Sequence, residues 1–211
     1  ASPLTIASGN VVINNLAFKG GNLSGLGATG KGGMFHITGN ADVTLANVKI
    51  SGGVAAMGGA IYIDTDASVV LDAKTVITKN NAYYNTVDDQ GVVTVNYGMG
   101  GGIYNAGTLT MNGGVTITNN TTDNGTELAD SANSGMGGAI YNAQGATLTV
   151  NSATMEVNNA GTDTEYWSPV AGTSTTISGN KSIEGGAIYN QGSATIYLEG
   201  NTITRNTATD G

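Results

Sequence analysis

The chain has 211 residues, of which 34 are Gly and 2 are Pro, and its formal net charge is −8. Its 7 Lys and Arg residues are too few and too scattered to neutralise a polyanion, which argues against a nucleic acid partner. The absence of Cys excludes a disulfide scaffold and a thiolate metal site, and no apolar run is long enough to cross a membrane as a helix. Abundant Thr, Val, Ile and Tyr, interrupted by Gly and Asn, favour strands and turns.

Short strands are predicted from the N-terminus onward. Residues 1–31 contain two apolar segments, 11–13 and 16–18, which we interpret as the last two strands of a repeat. Between residues 32 and 57 three segments alternate apolar with polar or small residues, at Phe35 and Ile37, at Val43 and Leu45, and at Val48 and Ile50. Inward side chains at alternate positions are typical of strands, so the pattern predicts three short strands per repeat.

A hexapeptide that begins with Gly-Gly marks each later repeat. It reads Gly-Gly-Ala-Ile-Tyr-Asn at 137–142 and 185–190, and altered copies occupy 32–37, 58–63 and 100–105. A second mark, an apolar residue followed three positions later by Asn, occurs at Ile77–Asn80, Ile117–Asn120 and Ile203–Asn206, while Met155–Asn158 and Ile177–Asn180 compete for one further place. Such a repeat indicates a solenoid whose units bury their apolar faces by stacking.

The repeat predicts an all-β fold, namely a right-handed parallel β-helix with three short strands per rung and about five to six rungs. The handedness follows from the strong bias of parallel crossover connections. Residues 1–211 are expected to form a single domain. We expect this domain to be a piece of a longer repeat protein, because the pattern is present at both ends of the sequence.

Two columns of identical side chains are predicted along the stack. Asn105, Asn142 and Asn190 end the first strand of their repeats and are expected to point inward and form a hydrogen-bonded ladder; the alternative is a simple turn residue. Tyr62, Tyr104, Tyr141 and Tyr189, with His36 in the matching place, are expected to point outward. Their stacking would stabilise the register between rungs, or alternatively offer a strip that binds a sugar or a partner.

Insertions are predicted near residues 81–99, 121–136 and 159–184, mostly at one corner of the rod. If Ile177–Asn180 is the true second mark of its repeat, the last insertion moves one corner earlier. Insertions on one side of a solenoid are typical of a binding face. Within these insertions we select as binding residues Tyr83, Tyr84, Tyr97, Tyr166 and Trp167. The alternative is that these aromatic side chains fold back and cover the rod.

Catalytic constellations are not evident in the sequence. Glycoside hydrolysis needs two placed carboxylates, and no such pair recurs at rung spacing. His36 is the only His and Arg205 the only Arg, so we expect no enzyme, no cofactor and no metal site. Asp64 and Asp66 could help to hold Ca²⁺, but the sequence around them has no known calcium-loop pattern. A polysaccharide lyase or hydrolase stays open as an alternative.

The pairing of Gly-Gly-Ala-Ile with a following Ile-x-x-Asn, over roughly residues 32–206, resembles the polymorphic outer membrane proteins of chlamydiae. These proteins carry Gly-Gly-Ala-Ile/Leu/Val with Phe-x-x-Asn, and here Ile or Met takes the place of Phe. The resemblance implies a secreted, autotransporter-like passenger at the bacterial cell surface, with an adhesive or structural role. Its partner would be a protein or glycan on a host or neighbouring cell. Alternatives are a carbohydrate-binding or carbohydrate-active β-helix, and a filament or surface-layer subunit that self-associates end to end.

Overall fold

The computed structural model describes residues 3–122, 135–151, 175–196 and 202–208. Within these ranges the chain forms strands and one 3-10 helix, η1 (Ser24–Thr29). The first strands are β1 (Leu4–Asn14), β2 (Ala17–Lys19), β3 (Phe35–Ala46), β4 (Lys49–Ser51), β5 (Val54–Ala55), β6 (Ile61–Ile63), β7 (Ser68–Asp72), β8 (Val76–Thr78), β9 (Asn81–Val87) and β10 (Val93–Tyr97). They are followed by β11 (Ile103–Asn105), β12 (Thr108–Met111), β13 (Thr116–Thr118), β14 (Ile140–Asn142), β15 (Thr147–Val150), β16 (Thr176–Ser178), β17 (Lys181–Ser182), β18 (Ile188–Asn190), β19 (Ser193–Ile196), β20 (Thr202–Thr204) and β21 (Thr207–Ala208). No helix in the described ranges is long and apolar enough to cross a membrane.

Strands of successive repeats pair in parallel and form three long columns. The first two columns belong to one sheet, ordered β18-β14-β11-β6-β3-β7-β12-β15-β19, with β1 beside β3. β1 and β3 are long enough to contribute to both columns, whereas in the next repeat β6 and β7 are separate strands. The third column is the sheet β2-β4-β8-β13-β16-β20. The predicted all-β class and the parallel stacking are thereby confirmed, and both are consistent with a parallel β-helix.

Two shorter ladders, which the sequence analysis does not predict, complete the repeat. The first runs through Asn22, Val54, Asn81, Thr121 and Lys181. The second runs through Lys31, Met57, Met99, Met136 and Glu184, immediately before each Gly-Gly. These two ladders pair the corner residues of successive repeats with one another, between the third column and the Gly-Gly that begins the following repeat.

Close approach of neighbouring backbones explains why each repeat begins with Gly-Gly. Gly137 has a φ of 69°, which lies in the left-handed region that glycine adopts without strain. A Cβ atom on Gly138 would lie only 2.3 Å from the carbonyl oxygen of Gly186 in the next repeat. The Gly pair is therefore a requirement of the stacking distance as well as of the turn.

The core of the rod is a stack of inward aliphatic side chains. Ile61, Ile103 and Ile140 pair in register in the first column, and all three are fully buried. Towards the first repeat the stack continues with Phe35, whose ring lies edge-on to that of Phe18 at 4.8 Å between centroids. The alternation of apolar and polar residues in the sequence thus corresponds to the inner and outer faces of these strands.

Candidate functional site

The corner between the third column and the next Gly-Gly contains four residues in its shortest form. Residues 54–57 and 181–184 have this short form. The two shorter ladders align Val54 with Asn81 and Met57 with Met99, so residues 83–97 are an insertion between Ala82 and Gly98. The same ladders place 24–29 and 123–134 at this corner in other repeats. We call this position the insertion corner.

The third long insertion lies at a different corner. Ile117 pairs with Ile177, which decides the open register in favour of Ile177–Asn180. Residues 175–184 of the expected insertion 159–184 therefore belong to the rod, and the inserted residues lie between β15 and β16. The alternative stated for Ile177–Asn180 therefore applies, and this insertion lies one corner earlier than 83–97. Tyr166 and Trp167 lie outside the described residues.

β9 and β10 form an antiparallel hairpin at the insertion corner, which we call the hairpin. Tyr83 pairs with Tyr97 near its base, and Val87 pairs with Val93 near its tip. Because side chains alternate between the faces of a strand, these four residues share one face, whereas Tyr84 lies on the other. The three tyrosines are half-buried, whereas Val87 and Val93 are 64% and 56% exposed. η1 contacts β9, so one strand of the hairpin lies against the insertion of the first repeat.

The tip of the hairpin is held by hydrogen bonds within the turn. The Asp88 carboxylate accepts them from the backbone N–H groups of Gln90, at 3.0 Å, and of Val92, at 2.8 Å. The backbone N–H of Asp88 donates to the carbonyl of Val92, and Gly91 has the positive φ that such a turn requires. The hairpin is thus an ordered projection, which presents its side chains in a fixed arrangement.

The tyrosine column consists of Tyr62, Tyr104, Tyr141 and Tyr189. Successive ring centroids are 4.9, 4.9 and 5.5 Å apart, and the ring planes are within 20° of parallel. His36 lies edge-on to Tyr62 at 5.3 Å. Tyr62 and Tyr141 are only 6% exposed although they lie outside the aliphatic core, because neighbouring rings cover their faces. Since a sugar would need a free ring face, this geometry favours the register-stabilising role over a sugar-binding strip.

Burial raises the pKa of two tyrosines of the column, Tyr104 and Tyr141. Burial, together with the neighbouring phenols of Tyr141 and Tyr62, raises the pKa of Tyr104 from 10.0 to about 12. Burial also raises the pKa of Tyr141, whose hydroxyl donates a hydrogen bond of 2.8 Å to Oε1 of Gln191. Both phenols therefore stay protonated to a higher pH than a free tyrosine, which keeps charge repulsion out of the packed stack.

A charged cluster lies at the His36 end of the tyrosine column. Asp64 Oδ2 lies 3.9 Å from Lys31 Nζ and 3.7 Å from His36 Nε2, and it accepts a hydrogen bond of 3.1 Å from Thr38. Lys31 Nζ also lies 4.4 Å from the ring centroid of Tyr62. Burial alone would raise the pKa of Asp64, but the hydrogen bond from Thr38 and the charge of Lys31 outweigh it and lower this pKa. Asp64 is thus an ionised anchor rather than a proton donor.

The predicted asparagine positions form a hydrogen-bonded ladder inside the rod. The side-chain amide of Asn105 donates to Asn142, and that of Asn142 donates to Asn190, both at 2.7 Å. Asn105 and Asn142 are fully buried. They also donate to the backbone carbonyls of Thr147 and Ser193 respectively, so the side chains bind the turns of neighbouring repeats together.

A second asparagine ladder was missed by the sequence reasoning. It consists of the Asn residues of the second mark, Asn80, Asn120, Asn180 and Asn206, whose side chains donate in series at 2.9, 3.1 and 2.9 Å. The recurrence of Asn three positions after an apolar residue was the sequence signal for this ladder. The alternation of a strand could not predict that its side chain points inward, because each Asn lies at a corner rather than within a strand.

The described residues contain no group of three or more His, Asp or Glu side chains that could hold a metal ion. They present instead a rod with buried polar ladders, an outer tyrosine stack and one ordered hairpin. These features define a class, the solenoid repeat proteins built from stacked parallel strands.

The model of the Chlamydia polymorphic membrane protein (Chlamydia_PMP) repeat matches residues 114–143 and 174–191. The matched segments include both exact Gly-Gly-Ala-Ile-Tyr-Asn copies and the marks Ile117–Asn120 and Ile177–Asn180. The resemblance inferred from these motifs is therefore confirmed for this repeat. No curated protein and no solved structure matches the chain.

Proposed function

We propose that this chain is a segment of a bacterial cell-surface passenger of the autotransporter type, and that it binds a partner through its insertions without catalysing a reaction. The observation that carries the proposal is the hairpin: an ordered, partly apolar projection on a rigid scaffold, where recognition residues are commonly found. The match to the polymorphic membrane protein repeat supports a location at the cell surface. We also infer that the rod is right-handed, with three main strands per rung.

The partner class is a protein or glycan on a host or neighbouring cell. The tyrosine column is a weaker candidate for contact, since its rings cover one another. In the hairpin, by contrast, Tyr83 and Tyr97 are only half-buried and Val87 and Val93 are exposed. Exposed aromatic and aliphatic side chains in a fixed arrangement are typical anchors of an interface.

Excision of the insertions tests the proposal. Removing 83–97 leaves Asn81-Ala82-Gly98-Met99, and removing 123–134 leaves Thr121-Thr122-Gly135-Met136, each equivalent to the natural corner at 54–57. The shortened rod should keep its β circular dichroism spectrum and its cooperative melting. Excision removes none of the residues that pair between repeats in the two short backbone ladders at this corner. It should lose attachment to a panel of cultured cells and to a glycan array on which the intact chain binds. Equal binding by both forms, or turnover of a polysaccharide by the intact chain, would contradict the proposal.

A further inference from the structure

Three methionines lie side by side in the second of the two short ladders. Parallel bridges pair Met57 with Met99 and Met99 with Met136, one residue from each of three successive repeats. Parallel pairing in register puts these side chains on the same side of the ladder, on backbones ~4.8 Å apart. The whole chain has 6 Met, so half of them occupy this one place in the repeat. We call the three residues the methionine column.

Apolar packing alone does not account for methionine at this position. The same ladder begins with Lys31 and ends with Glu184, so the position accepts charged side chains in the outer repeats. All three methionines are half-buried and belong to neither the core nor the exposed surface. A structural alternative exists, because Lys31 Nζ lies 4.4 Å from the ring centroid of Tyr62. Met57 occupies the equivalent place relative to Tyr104, where a sulfur–aromatic contact would be favourable.

The surroundings of the column leave room for the three thioethers to meet. A methionine side chain is unbranched and has three rotatable bonds, so the outer two can lean along the rod towards Met99. Each has to shift its sulfur by less than one rung spacing to do so. The residues immediately before and after each methionine have no side chain beyond Cβ, namely Ala56, Gly58, Gly98, Gly100, Gly135 and Gly137.

The backbone of the column is held in place on both sides. The N–H groups of Gly58 and Gly100 donate to the carbonyls of Met99 and Met136, at 2.9 and 2.8 Å. The N–H of Met99 donates to the carbonyl of Ala56 at 3.0 Å. Only the side chains therefore have to order when a ligand binds, which lowers the entropic cost of binding.

We propose that the methionine column binds one soft monovalent cation, Cu(I), through the sulfur atoms of Met57, Met99 and Met136. Thioether ligands select Cu(I), whereas carboxylates, carbonyls and water suit hard cations. The cationic neighbour in the ladder, Lys31, has its Nζ 3.9 Å from Asp64 Oδ2, which compensates its charge. A bound ion would join three successive repeats. This inference goes beyond the proposed function and does not depend on it.

Competition with a chromogenic Cu(I) chelator, without oxygen and with ascorbate present, tests the site. The intact chain should bind one Cu(I), and M57L/M99L/M136L, in which each exchange nearly conserves volume, should lose this binding. Met99→Leu alone should weaken binding by at least about tenfold, since even the loss of a group behind a metal ligand costs 10–100-fold. The matched control is Met34→Leu, which removes another half-buried thioether outside the column and should leave the affinity unchanged.

Ag(I), a soft monovalent ion that is not oxidised by air, locates the ligands directly. In a chain labelled with ¹³C at its methionine methyl groups, Ag(I) should shift three of the six signals, which single Met→Leu variants assign to the column. The melting temperature of the intact chain should rise with Ag(I), because the ion binds the folded state alone, and that of M57L/M99L/M136L should not. Shifts confined to methionines outside the column would overturn the proposal.

The pH dependence separates thioethers from other ligands. A thioether has no proton to lose, so the affinity for Cu(I) should be the same at pH 5 and pH 7, whereas a site built on an imidazole weakens on acidification. An affinity that falls with pH, or unchanged Cu(I) binding by M57L/M99L/M136L, would overturn the proposal. If this variant melts at a lower temperature but binds Cu(I) like the intact chain, the methionines serve sulfur–aromatic packing instead.

The metal site and the cell-binding function can fail separately. The rod without residues 83–97 and 123–134 keeps all three methionines and should bind Cu(I) like the intact chain. Loss of cell attachment by this rod with Cu(I) binding retained supports both proposals. Cu(I) binding by the intact chain that does not depend on the column overturns only the inference made here.

Discussion

Buried asparagines bind the repeats of this rod to one another through hydrogen bonds that a turn residue would not make. The Asn120 side chain accepts from the backbone N–H and the side-chain amide of Asn80, and it donates to the carbonyls of Ile77 and Thr118. The residue is fully buried. Each of these partners would stay buried without water if the amide were removed, and an unsatisfied buried polar group costs about 1–3 kcal/mol.

Asn120→Ala should therefore lower the free energy of unfolding by about 3 kcal/mol or more, because several buried partners lose their bonds at once. Urea unfolding followed by circular dichroism measures the loss. The matched control is Asn47→Gly, which removes an exposed Asn–Asn bond to Asn15 at a position with a φ of 52° that glycine accepts. We expect the control to change stability by less than about 0.5 kcal/mol. If both variants lose a similar free energy of unfolding, the contribution of an Asn–Asn hydrogen bond to stability does not depend on its burial.

Tyr104→Phe should protect the rod against alkaline unfolding. The pKa of Tyr104 is about 12 in the folded chain against 10.0 for a free phenol, so the folded state holds its proton where the unfolded state has lost it. Stability therefore falls between pH 10 and about 12, and this part of the fall disappears when the hydroxyl is absent. Urea midpoints at pH 8 and pH 11 test this, and an unchanged difference between the two midpoints would contradict it.

At the scale of the element, the sequence predicts strands far better than it predicts corners. The inward positions Phe35, Ile61 and Ile140 follow from alternation, because a strand has only two faces. The two short ladders, the second asparagine ladder and the place of the third insertion could not be predicted in this way. They depend on which residues of successive repeats lie side by side, and this register is fixed by tertiary pairing such as Ile117 with Ile177.

Gly138→Ala tests the tightness of the corner. Its Cβ would lie 2.3 Å from the backbone oxygen of Gly186 and 2.7 Å from the backbone nitrogen of Lys181, and neither can move without breaking a ladder. We expect a loss of several kcal/mol or failure to fold, as found for severe overpacking. Gly145→Ala is the control: its φ of 84° is also positive, but nothing lies within 4 Å of the added Cβ. The control should cost only about 1 kcal/mol, the strain of the backbone itself. Thermal melting of the two variants gives the comparison.

At the scale of the whole molecule, the stability of a stack depends on where in the stack a defect falls. Ile140 pairs with Ile103 on one side and Ile188 on the other, so it belongs to two interfaces between repeats. Ile203 of β20 pairs with Ile177, and its side chain is 45% exposed. In a solenoid each repeat contacts only its neighbours, so an interior defect uncouples two blocks whereas an outer defect frays one repeat.

Ile140→Asp should therefore prevent folding or remove about 3–5 kcal/mol of stability, because it places an unpaired carboxylate between two fully packed repeats. Ile203→Asp introduces the same group at an exposed position, where water can solvate it, and should cost less than about 1 kcal/mol. Circular dichroism melting and native-state hydrogen exchange distinguish the cases: the Ile203 variant should lose protection only around β20, while β11 and β14 remain protected. If the two variants lose the same melting temperature, the inward stack of Ile61, Ile103 and Ile140 is not what stabilises the packing of neighbouring repeats.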